Sequence, residues 1–223
     1  METGLAEFIR NALLVIGALF PIVNPLGSAP IFLALTAGFT DEAYALLARK
    51  IALNGFALLA ASILVGTNIM AFFGISLPVV QVGGGMVVIA GGWSLLNRKD
   101  DSDAGAVVPK STSPAEISRR AFYPLTLPLT VGPGSISVAI TVGANHPQNA
   151  PRTLYLASAL LGAAVVAVSI YFSYRFAEYL ARAIGDAAMN IILRLSSFIL
   201  LCIGVQIAWN GISALLRTAG VHP

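Results

Sequence analysis

Two proline-rich stretches hold the residue types that bind small polar solutes. The first is Phe20-Pro21-Ile22-Val23-Asn24-Pro25-Leu26-Gly27-Ser28-Ala29-Pro30; the second is Tyr123-Pro124-Leu125-Thr126-Leu127-Pro128-Leu129-Thr130-Val131-Gly132-Pro133-Gly134-Ser135. Each lies inside a long apolar run, where a proline removes a backbone donor and clashes with the preceding turn. The helix on either side must therefore break. In lipid a break persists only inside protein or beside a water-filled cavity, because the freed backbone groups need partners. A helix restarting near Ser28, and another near Ser135, would offer free amides and a positive dipole end to an anion. The non-helical residues before them would offer carbonyls to an ammonium group or a sodium ion. Two such breaks meeting near the midplane match a zwitterion, with a carboxylate at one end and an amine at the other.

The candidate binding residues follow from that chemistry. Asn24, Thr126 and Thr130 are the side chains placed to add hydrogen bonds, with Pro25, Ser28 and Ser135 at the restarts. Gly27, Gly132 and Gly134 let a ligand approach backbone where a Cβ would obstruct, and at the wall Gly132 and Gly134 imply little room for a ligand side chain. A single proline motif would be read as a packing kink. Here Pro21, Pro25 and Pro30 align with Pro124, Pro128 and Pro133 at one constant offset without a gap, and Phe20 aligns with Tyr123. That register points to duplication and favours a site.

Covalent chemistry finds no support in the chain. No Walker-type loop, His-Glu-x-x-His zinc site or Gly-x-Ser-x-Gly nucleophile occurs, and neither His146 nor His222 is placed as a base for Ser135. The Asp100, Asp101 and Asp103 run lacks a Gly-centred ligand loop and reads as solvated charge rather than a metal site. No Asp, Glu, Lys or His lies deep within an apolar span, so the buried ionisable group expected for an ion-paired substrate or a proton relay is absent. The chain reads as no enzyme and as needing no cofactor beyond a coupling ion, sodium or proton.

Composition sets the solvent. Hydrophobic residues make up 57% and charged residues 10%, against about 25% charged in a soluble domain. Mean hydropathy is +0.84. The net charge of +3 is spread between apolar runs, which fits loops facing the cytoplasm and not a nucleic-acid face. Cys202 stands alone in an apolar run, so there is no disulfide framework.

These features predict an all-α integral membrane protein, a single membrane domain over 1–223 with six transmembrane helices. The first is a proline-broken span from Leu5 to Phe39, which would be about 52 Å long if straight, against a hydrocarbon core of about 30 Å. Ile51 to Phe73 and Leu77 to Leu96 follow, with Thr40-Asp41-Glu42 as a helix start. The fourth is the second proline motif running on to Ala144 and a turn at His146–Asn149; Leu154 to Tyr174 and Leu195 to Leu216 complete the set. Between the last two, Arg175 to Asn190 reads as interfacial. Gly83-Gly84-Gly85 and Gly91-Gly92 in the third span read as tight helix packing before ligand contact. Residues 98–113 form a cytoplasmic linker, and Ser113-Pro114-Ala115-Glu116 resembles a helix start.

The proline match, with a weaker one of Gly83-Gly84 to Ser196-Ser197 and Gly91 to Gly204, divides the chain into repeats 1–97 and 114–217. Three spans in each make the second copy enter from the opposite side, as in many secondary transporters. Placing both termini outside puts Arg49, Lys50, Arg98, Lys99, Lys110, Arg119, Arg120, Arg175, Arg182 and Arg194 inside, leaving Arg10, Arg152 and Arg217 outside. The bias is that of cytoplasmic loops.

The motifs Phe20-Pro-Ile-Val-Asn-Pro-Leu-Gly-Ser-Ala-Pro30, Pro124-Leu-Thr-Leu-Pro128 and Gly132-Pro-Gly-Ser135, in this order with six spans and a polar middle loop, resemble the MarC family of bacterial and archaeal inner-membrane proteins. The resemblance covers essentially the whole chain. It implies transport of small neutral amino acids of the glycine and alanine class, by import or efflux, across the inner membrane. The alternatives are a non-transporting structural or regulatory membrane protein, whose breaks only shape packing, and efflux of other small polar solutes.

Overall fold

A computed structural model describes residues 2–36, 39–97, 114–145 and 151–220. The predicted linker 98–113, the turn at His146–Asn149, the cap Ser113 and His222 lie outside these residues. Every regular element among the described residues is helical: α1 Glu2–Val23, α2 Pro25–Leu35, α3 Asp41–Phe73, α4 Leu77–Leu96, α5 Pro114–Arg120, then an unwound stretch Ala121–Thr130, α6 Pro133–Ala144, α7 Arg152–Arg175, α8 Ala177–Ile184 and α9 Asp186–Thr218. Five helices are long and apolar enough to cross a membrane, and the bent pair Ile117–Thr130 and Pro133–Ala144 makes a sixth. The chain is an all-α multi-pass membrane protein.

The two breaks differ, and the difference is chemical. In the first copy only Asn24 leaves the helix, at φ 46° and ψ 58° in the left-handed region, which asparagine tolerates better than most residues. Its Oδ1 accepts the Gly27 amide at 3.2 Å, and Pro25, as the first helical residue, has no N–H to leave orphaned. The break is therefore short, at the cost of an Asn24 Nδ2 buried without a hydrogen-bond partner among the described residues. Pro21 and Pro30 stay inside α1 and α2, and Gly4–Leu33 runs as one 30-residue span. Ser28 thus does not begin a helix: α2 starts one turn earlier, and the Ser28 amide is bonded to the Asn24 carbonyl at 3.0 Å.

The second copy has Leu127 where the first has Asn24, with neither a cap nor a taste for positive φ. It unwinds further. Tyr123 and Leu127 adopt extended torsions, and the Thr126 and Thr130 hydroxyls donate five residues back, to Ala121 O at 2.6 Å and Leu125 O at 2.7 Å. The helix restarts at Pro133 after a bend of 73°.

Packing places the break regions in the core. Gly85 and Gly92 of α4 face Gly204, Ala208, Ser197 and Leu201 of α9, and Gly211 faces Pro78. Low numbers on one helix meet high numbers on the other, so the two run antiparallel with backbones in contact, as small residues allow. The packing reading of the α4 glycines holds for Gly84, Gly85 and Gly92, the first of which rests on Ser137 of α6. A Cβ at Gly83 would meet nothing within 4 Å, and Gly91 lines a cavity. The helix start read at Thr40-Asp41-Glu42 is where α3 begins: Thr40 caps it through the Ala43 amide, and the helix continues unbroken through the span read from Ile51, 33 residues in all. The stretch read as interfacial holds α8 and the first turn of α9, with an exposed Arg182–Glu178 pair on α8.

Candidate functional site

A cavity of about 510 Å³ opens where the two breaks meet α4. Of the residues singled out from the sequence, Asn24, Ser28, Thr130, Gly132, Gly134 and Ser135 line it. Pro25, Gly27 and Thr126 do not. Thr126 is fully buried, its hydroxyl proton spent on Ala121 O. Gly27 serves the break itself: the Asn24 side chain folds over it closer than any Cβ would permit. The close approach read from this glycine is real, but the group approaching is the chain's own amide.

The α6 side supplies anion chemistry. Gly134 and Ser135 are first-turn residues whose amides have no intrahelical acceptor, and the Ser135 hydroxyl donates to Gly132 O at 2.9 Å, keeping its own lone pairs. Gly91, Gly132 and Gly134 have no side chain, so their contribution to the wall is backbone. No charged side chain lines the cavity. An uncharged site of this kind, with one helix N-terminus among its walls, can hold a carboxylate without a cationic partner.

Behind it lies a buried hydroxyl relay that the sequence reading missed. Thr130 Oγ1 stands 2.8 Å from the hydroxyl of Tyr174 on α7. The threonine proton is committed to Leu125 O, so the tyrosine is the donor. Tyr174 is fully buried. Its ring stacks on Phe32 of α2 at 4.5 Å, and Phe32 meets Tyr44 of α3 edge-on. A buried tyrosine needs a partner for its hydroxyl, but nothing in the apolar run around Tyr174 signals which. The wall from α4 was missed as well: Val87, Val88, Gly91 and Ser94 line the cavity, because a glycine facing a cavity and a glycine facing a helix look alike in sequence. Among the described residues no group of three His, Cys, Asp or Glu side chains could hold a metal.

A cavity of about 510 Å³ falls in the range that accepts ligands well beyond glycine, roughly 300–1,000 Å³. Gly134 in particular faces not open space but Val88, with which a Cβ would collide.

The family profile described as MarC family integral membrane protein matches residues 8–216. The chain belongs to the MarC family. Relatives within it include the UPF0056 membrane protein MJ1677 of Methanocaldococcus jannaschii, 30% identical over 93% of this chain and 98% of its own length. The UPF0056 inner membrane protein MarC of Escherichia coli strain SMS-3-5 is 30% identical over 90% of this chain and 93% of its own. The UPF0056 membrane protein YvbG of Bacillus subtilis is 28% identical over 89% and 92%. No solved structure matches significantly. The MarC match spans both proline motifs and all the cavity walls, so the site belongs to the family domain and not to an appendage.

Proposed function

We propose that this MarC-family chain is a secondary transporter of small neutral amino acids of the inner membrane, holding a zwitterion in the cavity between the two breaks. The observation that carries the reading is the cavity wall itself: the unbonded first-turn amides of Gly134 and Ser135 beside polar Asn24, Ser28 and Thr130, with no charged side chain. A solute whose charges sum to zero suits such a wall, since a net charge would be buried without a counter-ion. The chain performs no covalent step in this reading. The antiparallel α4–α9 seam and the paired proline motifs support an inverted repeat built around the site. Coupling would use sodium or a proton.

The test is competition against labelled alanine uptake in proteoliposomes. Glycine, alanine and serine compete; glutamate and lysine do not, and equal competition by either would overturn the zwitterion site. The cavity volume favours one second reading, transport of somewhat larger uncharged polar solutes, and tryptophan or glutamine competing as well as glycine would select it. No saturable flux of any of these would leave the non-transporting alternative.

Orientation has its own check. The charge bias puts both termini outside and α8 inside. In a Cys202→Ser background, needed because Cys202 is exposed, an impermeant thiol reagent applied outside labels Thr218→Cys and spares Tyr179→Cys. The opposite pattern reverses the topology.

A further inference from the structure

Between α3 and α7 the outer surface carries a groove of about 400 Å³, walled by Ala52 and Phe56 of α3 and Ala164, Ala167 and Tyr171 of α7, with Arg49 at one end. Small residues recess it and its walls are apolar. Leu53 and Val168 on it are 56% and 52% exposed, so it faces lipid. Ile51 to Phe73 of α3 is already long enough to cross a hydrocarbon core of about 30 Å. Arg49 therefore stands at headgroup level, and the groove runs from there into the bilayer.

A second cation reaches the same end. Arg175 lies one turn beyond Tyr171 on α7, on the same helix face by its spacing of four. Neither Arg49 nor Arg175 makes an ion pair among the described residues, where Glu178, the acidic group of neighbouring α8, pairs with Arg182. Two guanidiniums and an interfacial tyrosine hydroxyl thus crown an acyl-sized apolar slot. Guanidinium groups bind phosphate oxygens in a bidentate fork, and basic pockets between membrane helices recognise anionic headgroups.

We propose that this groove is a binding site for an anionic phospholipid, with one acyl chain along Ala52, Ala164 and Ala167 and the phosphate between Arg49 and Arg175 beside the Tyr171 hydroxyl. A choline headgroup offers the same chain and phosphate, but its ammonium meets the same two cations unfavourably. Free phosphate has no chain and gains nothing from the slot. The site is separate from the solute cavity and stands whether or not the chain transports.

The experiment is native mass spectrometry of the full chain in detergent, with phosphatidylglycerol and phosphatidylcholine of identical acyl chains competing. Phosphatidylglycerol is retained in preference, by about fivefold for each arginine. Arg49→Gln with Arg175→Gln brings the ratio to about one, whereas Arg217→Gln, on the opposite face, keeps the preference. Equal retention by the wild type, an unchanged ratio in the double variant, or the same loss in Arg217→Gln overturns the proposal. If the double variant fails to fold, Ala164→Leu decides: filling the slot lowers retention of both lipids, and unchanged retention refutes the site.

Discussion

Gly92→Leu leaves little folded protein, while Gly91→Leu, one residue away, folds normally and loses solute binding. The contrast follows from what a side chain meets at each position. At Gly92 a Cβ would come within 2.8 Å of Leu201 N and 3.0 Å of Ser197 O. Both are backbone atoms of α9, which cannot rotate aside. Overpacking where side chains can yield costs about 1–3 kcal/mol, and here the helices themselves must part, so the cost lies at or above the top of that range. Total stability of about 5–15 kcal/mol cannot absorb much of this. At Gly91 a Cβ meets nothing within 4 Å, and the residue lines the cavity, so leucine there fills binding space instead of a helix contact. Size-exclusion profiles and thermal unfolding in detergent read the first effect, and a ligand-induced shift reads the second. A wild-type melting temperature for Gly92→Leu would refute the seam as described.

Gly134→Ala weakens substrate binding about ten- to a hundredfold, and adding Val88→Ala restores it. Gly134 is not among the glycines at positive φ, so its backbone accepts any residue. What opposes a Cβ is the Val88 Cγ2 methyl across the α4–α6 contact. Either Val88 yields or the α6 N-terminus is pushed off, and its amides leave the position where they meet a carboxylate. A hydrogen bond to a charged group is worth about 1.5–3 kcal/mol, which is about ten- to a hundredfold in affinity. Removing the two methyls of Val88 makes room without touching an amide. Rescue measured by alanine binding separates this cause from misfolding. A double variant that binds as weakly as Gly134→Ala would show that the amides are not the ligand's partners.

Much of the architecture was legible because it rests on bulk quantities. Apolar length and the repeat of three prolines are statements about solvent and backbone donors, and both survive into the helices. What the prolines could not convey was how each break is satisfied. Identical spacing yields a one-residue break where Asn24 can take left-handed torsions and cap its own helix, and an unwound stretch where Leu127 cannot. Thr126 and Thr130 looked equivalent as hydrogen-bonding groups, yet one is spent entirely inside the break while the other reaches both the cavity and Tyr174. Side-chain partners of that kind depend on which distant helix arrives alongside, here α7. The glycine pair Gly91-Gly92 makes the same point, since adjacent residues on a helix face different neighbours and only the packing tells which is wall and which is contact.

The α4–α9 seam also decides what can be still and what can turn. Side chains that interdigitate can slip by one rotamer at a time, but backbones touching through Gly85, Gly92, Gly204 and Gly211 have no intermediate position between seated and separated. Any working cycle must leave that pair as the fixed keel and find its hinge elsewhere. The lone αL residue at Asn24 and the extended torsions at Tyr123 and Leu127 are where the chain has the fewest ladder bonds to break. In deuterium the same division would be written as a gradient, with seam amides the last to exchange and those flanking the two breaks the first.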